Sequence, residues 1–315
     1  MMAPARIAAW TSELTGVRRA ITAVLLGALS LLAFAPFHLW PALFVSLGGL
    51  TWLLDGSYRA GRTLFVRVSG AAITGFWFGF GFFLTGLYWV AEAFLVEPWR
   101  HGWLIPFVMT ALPASMALFF AAGSAMTMVL WRPGPARVFA LGVGLGLSEL
   151  ARGHVLTGFP WNLIGYGLLA NDALMQLAAP FGVYAVTVFA VLLFSAPAAI
   201  CSDGDSQSRA TALLTALLVG VLGASFFWGS ARLSGAYDTP SDIRLRLVQA
   251  NISQAEKWQP ENATRIFETY LEMTQRPGIE EINIVVWPET ALPFPLDKSE
   301  DALAAIGAAL PSKTI

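Results

Sequence analysis

Read from its first residue, the chain alternates long apolar stretches with short polar ones until about residue 232, where the pattern changes. The apolar stretches cover roughly 20–36, 39–54, 66–91, 103–131, 138–152, 173–200 and 210–231. A helix needs about 20 apolar residues to cross the hydrocarbon of a bilayer. Several of these stretches fall short of that, and 20–36 with 39–54 has the form of a tight hairpin around Pro36. The pattern predicts a polytopic α-helical membrane bundle of about seven helices over residues 1–232.

From residue 233 the periodicity is that of a water-soluble α/β segment. Residues 243–251 alternate and then turn apolar, as a strand does. Pro260 suits a first helical position, and Ala263, Ile266, Phe267, Tyr270 and Leu271 make the stripe of an amphipathic helix that Arg276-Pro277-Gly278 ends. Residues 282–287 are a second, β-branched run, expected to be a buried strand. Ser299 is a candidate cap for a further helix with Leu303, Ile306 and Leu310 on its core face. Lys313-Thr314-Ile315 has the look of a third strand. The order is β-α-β-α-(β), with parallel strands. A parallel sheet has both faces covered, so the segment is expected to be the first part of a larger α/β domain.

Composition agrees with this division. Of 315 residues, 56% are hydrophobic and 12% charged, and the mean hydropathy is +0.63. Soluble domains carry about 25% charged residues. A net charge of −1 offers no basic patch for nucleic acid. The single cysteine, Cys201, forms no intrachain disulfide, and the three histidines have no metal-ligand spacing. No metal site is read from these residues.

Orientation follows from arginine placement. With the N-terminus inside, the inner segments carry Arg6, Arg18, Arg19, Arg59, Arg62, Arg132, Arg137 and Arg209, against Arg100 and Arg152 outside. The soluble segment then lies on the outer face. Ala33-Phe34-Ala35 resembles a signal-peptidase site, but Pro36 directly after it is unfavourable and further spans follow at once.

Three stretches offer chemistry. In Trp287-Pro288-Glu289, Pro288 has no N–H to give a ladder, so the strand ends there and Glu289 is displayed at its carboxyl end. Sheets of this class keep their chemistry at that end, and a carboxylate there can act as a general base. The Gly- and aromatic-rich run 75–83 is either a close helix contact through Gly75 and Gly79 or a groove for a lipid chain. Next to it, Tyr88 and Trp89 lie near the outer interface, where aromatic residues concentrate. The loop 156–167, with Phe159, Pro160 and Trp161, is either an interfacial anchor or part of a lipid access site facing the soluble domain. Glu149 and Arg152, three apart on one helix, can pair, with a structural role expected. Cys201 sits on the face opposite Glu289 and is read as a bystander.

Val248-Gln249-Ala250-Asn251-Ile252, Lys257-Trp258 and Val286-Trp287-Pro288-Glu289-Thr290 together resemble the opening of a nitrilase (carbon–nitrogen hydrolase) domain. Such an opening behind a polytopic bundle with Gly158-Phe159-Pro160-Trp161 in a loop is similar to the apolipoprotein N-acyltransferase family. The resemblance implies a nitrilase-like α-β-β-α sandwich, here incomplete, in a bacterial inner-membrane enzyme with its soluble domain on the periplasmic side. It implies transfer of an acyl chain from a phospholipid to the α-amino group of the S-diacylglyceryl-cysteine of an apolipoprotein, through a thioester and with no metal or redox cofactor. Membrane lipids are its surroundings, and a monomer is expected. Glu289 matches the general base of a Glu-Lys-Cys triad, and Trp258 a tryptophan that shapes the substrate entrance or is simply an interfacial aromatic. The triad lysine and cysteine are expected beyond residue 315, since Lys298 and Lys313 follow Glu289 too closely. The chain is then an N-terminal portion, inactive alone. A membrane-tethered amidase, a transporter with an outer appendage and a non-catalytic remnant are the alternatives.

Overall fold

The computed structural model describes residues 2–61, 63–201, 205–235, 242–312 and 314. They form two compact units, Met1–Ala236 and Tyr237–Ile315.

The first unit is helical. In order it contains α1 (Met2–Glu13), α2 (Gly16–Ser30), α3 (Ala42–Ala60), α4 (Leu64–Gly86), the short α5 (Pro98–His101), α6 (Ile105–Val129), α7 (Pro135–His154), the short α8 (Asp172–Met175), α9 (Ala178–Ile200) and α10 (Asp205–Ser234). Five stretches are long and apolar enough to cross a membrane: Gly16–Ala33, Leu64–Gly86, Pro98–Val129, Ala178–Ile200 and Gln207–Ser234. α3 and α7 are also long, but Asp55, Arg59, Arg137, Glu149 and Arg152 interrupt their apolar surface.

α4 is the centre of the bundle and packs most extensively on α6 and α2. Thr63 caps it by accepting from the Val66 N–H at 3.4 Å. Its glycines make the close approach: a Cβ on Gly75 would lie 2.2 Å from Ser124 Oγ and 2.5 Å from the Phe120 carbonyl on α6. Gly75 and Gly79 therefore face a helix contact. Phe78, Phe82, Phe83 and Phe120 fill the core beside them, with Phe83 and Phe120 edge-to-face at 5.4 Å. The apolar run expected at 66–91 breaks after Gly86 into a 3₁₀ segment, Tyr88–Phe94. The run expected at 173–200 is α8 followed by α9, and Gly182 at φ 71° interrupts the first turn of α9.

One correction concerns charge. Arg137, placed by sequence in an inner loop, is 2% exposed. Its Nη1 donates to both oxygens of Asp55 at 2.7 Å and its Nη2 to the Ala199 carbonyl at 2.7 Å, while Trp131 Nε1 donates to Asp55 Oδ1 at 3.1 Å. Three sequence-distant stretches, at 55, 131–137 and 199, thus meet in one buried polar knot, because a charge inside a bundle must be paired and hydrogen-bonded. Arg62 lies outside the described residues.

The second unit contains β1 (Leu245–Leu247), the short α11 (Gln254–Lys257), α12 (Ala263–Thr274), β2 (Ile284–Val286) and α13 (Glu300–Ala309). β1 and β2 pair in parallel, with Leu245, Arg246 and Leu247 opposite Ile284, Val285 and Val286. α12 buries Ile266 and Tyr270, and its neighbours are Val248, Val285, Trp287 and Ala291. Arg246 closes the end of α12 by donating to the carbonyls of Thr274, Arg276 and Pro277.

The strands are shorter than the alternation suggested, and β2 is not buried: Val286 is exposed. Two strands leave one face of the sheet without a covering layer among the described residues. Leu303 is exposed rather than core-facing, with Ala302 and Ala309 turned inward instead. Ser299 stands at the start of α13, but its hydroxyl donates back to the Pro295 carbonyl at 3.1 Å and caps nothing. Lys313 and Ile315, two thirds of the expected third strand, lie outside the described residues.

Candidate active site

In the second unit, the site forms where β2 runs out. The Val248 N–H donates to the Val286 carbonyl at 3.0 Å, and Pro288 can extend the ladder no further. The Ala291 N–H donates to the Pro288 carbonyl at 3.1 Å, closing a turn over Glu289 and Thr290. Buried Ala291 anchors one end of this turn, and Trp287 anchors the other through its Nε1–H to Thr274 Oγ1 at 2.9 Å and its ring 5.1 Å from Tyr270. Glu289 itself projects to solvent.

Thr290 adopts φ 54°, a conformation β-branched residues rarely take. What holds it is Lys257. The side chain of Lys257 is 9% exposed, and its Nζ donates to Thr290 Oγ1 at 2.8 Å. The same ammonium lies 5.8 Å from the ring centroid of Trp258, which is exposed and donates through Nε1 to Gln254 Oε1 at 3.2 Å. Lys257 therefore links the Glu289–Thr290 turn to the segment that carries Trp258. Sequence reasoning assigned Lys257 no role. Its signal was composition: a lysine between the apolar end of one strand and an aromatic residue, in a segment too short for a solvated helix face. Among the described residues no group of three His, Cys, Asp or Glu side chains is placed to hold a metal ion.

In the first unit, a second constellation stands at the end of α7. Glu149 and Arg152 are wholly buried, with Nη2 and Oε1 3.7 Å apart. Arg152 Nη1 donates to the carbonyls of Phe159 and of Trp161, the latter at 2.8 Å, and the Phe159 N–H returns to the Arg152 carbonyl at 2.8 Å. The Glu149 carboxylate accepts from the Ile164 N–H, 3.2 Å from Oε2. Asn162 Nδ2 donates to the Gly86 carbonyl at 3.0 Å, tying the loop to the end of α4 directly before Tyr88. The rings of Phe159 and Trp161 stack at 5.1 Å. Trp161 is 50% exposed, and Tyr88, Trp89 and Leu156 are exposed as well. The structure thus brings Phe159 and Trp161 into the neighbourhood of the Tyr88–Trp89 segment, with Phe159 half-buried against the core and Trp161, Tyr88 and Trp89 exposed.

Cys201 follows the last turn of α9, and its thiol donates to the Pro197 carbonyl at 3.7 Å. Desolvation pushes its pKa up from the usual thiol value, the opposite of an activated nucleophile.

Residues 26–197 match the family model described as the apolipoprotein N-acyltransferase N-terminal domain. The chain belongs to the apolipoprotein N-acyltransferase family. An apolipoprotein N-acyltransferase of Rhodopseudomonas palustris is 38% identical over 98% of the chain and 58% of its own length. Proteins of the same name from Brucella suis and Bradyrhizobium diazoefficiens are 37% and 38% identical, over 97% and 95% of the chain and 58% and 56% of theirs. The chain therefore spans a little over half the length of these curated relatives. Membership and the apolar helices make it a multi-pass membrane protein. The similarity to the relatives runs through both units, so it includes the Glu289 turn as well as the aromatic loop.

Proposed function

We propose that this chain supplies the membrane bundle and the general base of an apolipoprotein N-acyltransferase. The reaction moves a fatty acyl chain from a phospholipid to the α-amino group of an S-diacylglyceryl-cysteine at the N-terminus of an apolipoprotein. Identity to the named relatives over nearly all of the chain, both units included, carries this reading. Glu289 takes the proton of a thiol nucleophile, and the thiolate attacks the phospholipid ester. A lysine steadies the oxyanion, and the lysophospholipid leaves with a proton. The free amine then attacks the thioester. The described second unit offers no thiol, and the chain's one cysteine is a poor candidate by its desolvation and its place after α9. On this reading the thiol nucleophile is not among these 315 residues.

Phe159, Trp161, Tyr88 and Trp89 are assigned to the lipid-facing side of the reaction and Trp258 to the approach to Glu289. Trp161, Tyr88 and Trp89 are large exposed aromatics with polar edges, which suit the membrane–water interface, and Phe159 stacks on Trp161. The arginine distribution, with Arg137 set aside as the partner of Asp55, supports a bacterial inner membrane with the second unit on the periplasmic side. The protein acts as a monomer.

The test is acyl transfer from phosphatidylethanolamine to a diacylglyceryl-cysteine peptide in detergent micelles. The 315-residue chain alone gives no product. A chimera in which it replaces its counterpart in the Rhodopseudomonas palustris relative gives N-acylated peptide. Turnover by the chain alone would overturn the assignment of the nucleophile, and a folded chimera without turnover would count against the function.

A further inference from the structure

We infer that Glu149 and Arg152 are positioning residues for the aromatic loop at 159–164, and that this is why two charges are buried at the end of α7. The inference rests on the reading of that loop as lipid-facing. An ion pair that served only to neutralise itself would close to about 2.8 Å. Here the two groups stand 3.7 Å apart, and the guanidinium Nη2 has no hydrogen bond to the carboxylate. The short contacts of each go to the loop instead: Arg152 to the carbonyls of Phe159 and Trp161, Glu149 to the N–H of Ile164. Every one of these ties is to backbone. They fix the path of the chain and leave the stacked rings of Phe159 and Trp161 without a polar tether.

The loop needs such ties. Leu156, Gly158 and Asn162 have φ of 59°, 74° and 56°, left-handed conformations that cost energy for the two that are not glycine and persist only where surrounding contacts impose them. Ionisable groups inside a bundle are expensive and mark function by default. Phe83, whose ring centroid lies 4.9 Å from the Arg152 guanidinium carbon, forms the apolar floor that excludes water from the pair. On this account, replacing both charges by apolar side chains leaves the bundle intact, since buried pairs are often neutral to remove together, but releases the loop.

The single cysteine makes the test direct. In a Cys201→Ser background, a nitroxide is attached at Trp161→Cys, whose backbone ties survive the substitution, or at Leu118→Cys, an exposed site on α6. The full chain is placed in vesicles of phosphatidylethanolamine and phosphatidylglycerol, and label mobility and collision with oxygen and with a water-soluble nickel chelate are measured. Glu149→Leu/Arg152→Met is expected to mobilise the label at 161 and to raise its exposure to the nickel chelate several-fold, with the label at 118 unchanged. Unchanged mobility at 161 overturns the inference, and equal loosening at 161 and 118 overturns it in favour of a general structural role. Arg152→Lys gives a second reading, because one ammonium cannot span two carbonyls as the guanidinium does. Mobility at 161 unaffected by it would likewise overturn the inference. A label at 161 in the parent chain that meets nickel more than oxygen defeats the lipid-facing reading of the loop, whatever the double variant does.

Discussion

Removing Asp55 alone tests the account of the bundle. Asp55→Ala leaves the Arg137 guanidinium at 2% exposure with its carboxylate gone, and it also strands the Trp131 indole N–H. Breaking a buried ion pair from one side costs about 3–5 kcal/mol, and an orphaned neutral donor adds roughly 1–3 kcal/mol. Of the partners named here, Asp55→Leu/Arg137→Met strands the indole N–H, for about 1–3 kcal/mol, while the Ala199 carbonyl still accepts from the Cys201 N–H. For a unit of this size 1 kcal/mol moves Tm by roughly 2–4 °C, so the single variant is expected to melt about 10 °C or more below the parent and the double variant much closer to it. The assay is thermal unfolding in dodecyl maltoside, followed by far-ultraviolet circular dichroism. A single variant no less stable than the double variant would refute the reasoning, because it would mean that Arg137 is not held in a dry, paired state.

Three further outcomes follow from particular contacts. Gly75→Leu pushes α4 from α6 against the Phe120 backbone and Ser124 and is expected to cost about 1–3 kcal/mol or more by overpacking, read as a fall in Tm in detergent. Cys201 should react slowly with iodoacetamide near neutral pH. Its raised pKa means that the thiolate fraction grows only as pH climbs above the ordinary thiol range, so a rate already at its plateau at pH 8 would contradict the desolvation. Lys257→Met removes the bond that holds Thr290. In the active chimera it should lower kcat several-fold with little change in KM, and the reverse split would argue that Lys257 binds substrate instead.

The hydrophobic pattern made the long apolar helices of the first unit legible, because runs such as 173–200 are apolar and have no other stable home than a bundle in lipid, whereas α1 (Met2–Glu13) carries no such run. It could not reveal the knot of Asp55, Arg137, Trp131 and the Ala199 carbonyl. Asp55, the Trp131–Arg137 stretch and Ala199 are far apart in sequence, and a charge near a helix end reads the same whether it is solvated or paired. The Glu149–Arg152 spacing was readable, but its purpose was not, since its partners are backbone atoms that carry no sequence signature. In the second unit the stripe of α12 was plain, while strand length was overestimated: alternation continues past the residues that find a partner strand. Glu289 stood out through Pro288, which ends the strand in any context. Lys257 did not, because a hydrogen bond to a side chain 33 residues away leaves no periodic trace.

The most direct measurement on the central claim is acyl transfer by the chimera with Glu289→Gln. The substitution keeps the size of the exposed side chain and removes only its ability to take a proton. If Glu289 is the general base, the thioester no longer forms from phosphatidylethanolamine, and kcat falls by about two orders of magnitude or more while the protein's melting behaviour is unchanged. Turnover equal to the parent chimera would show that the Trp287-Pro288-Glu289 turn is a structural strand end and that the base lies elsewhere.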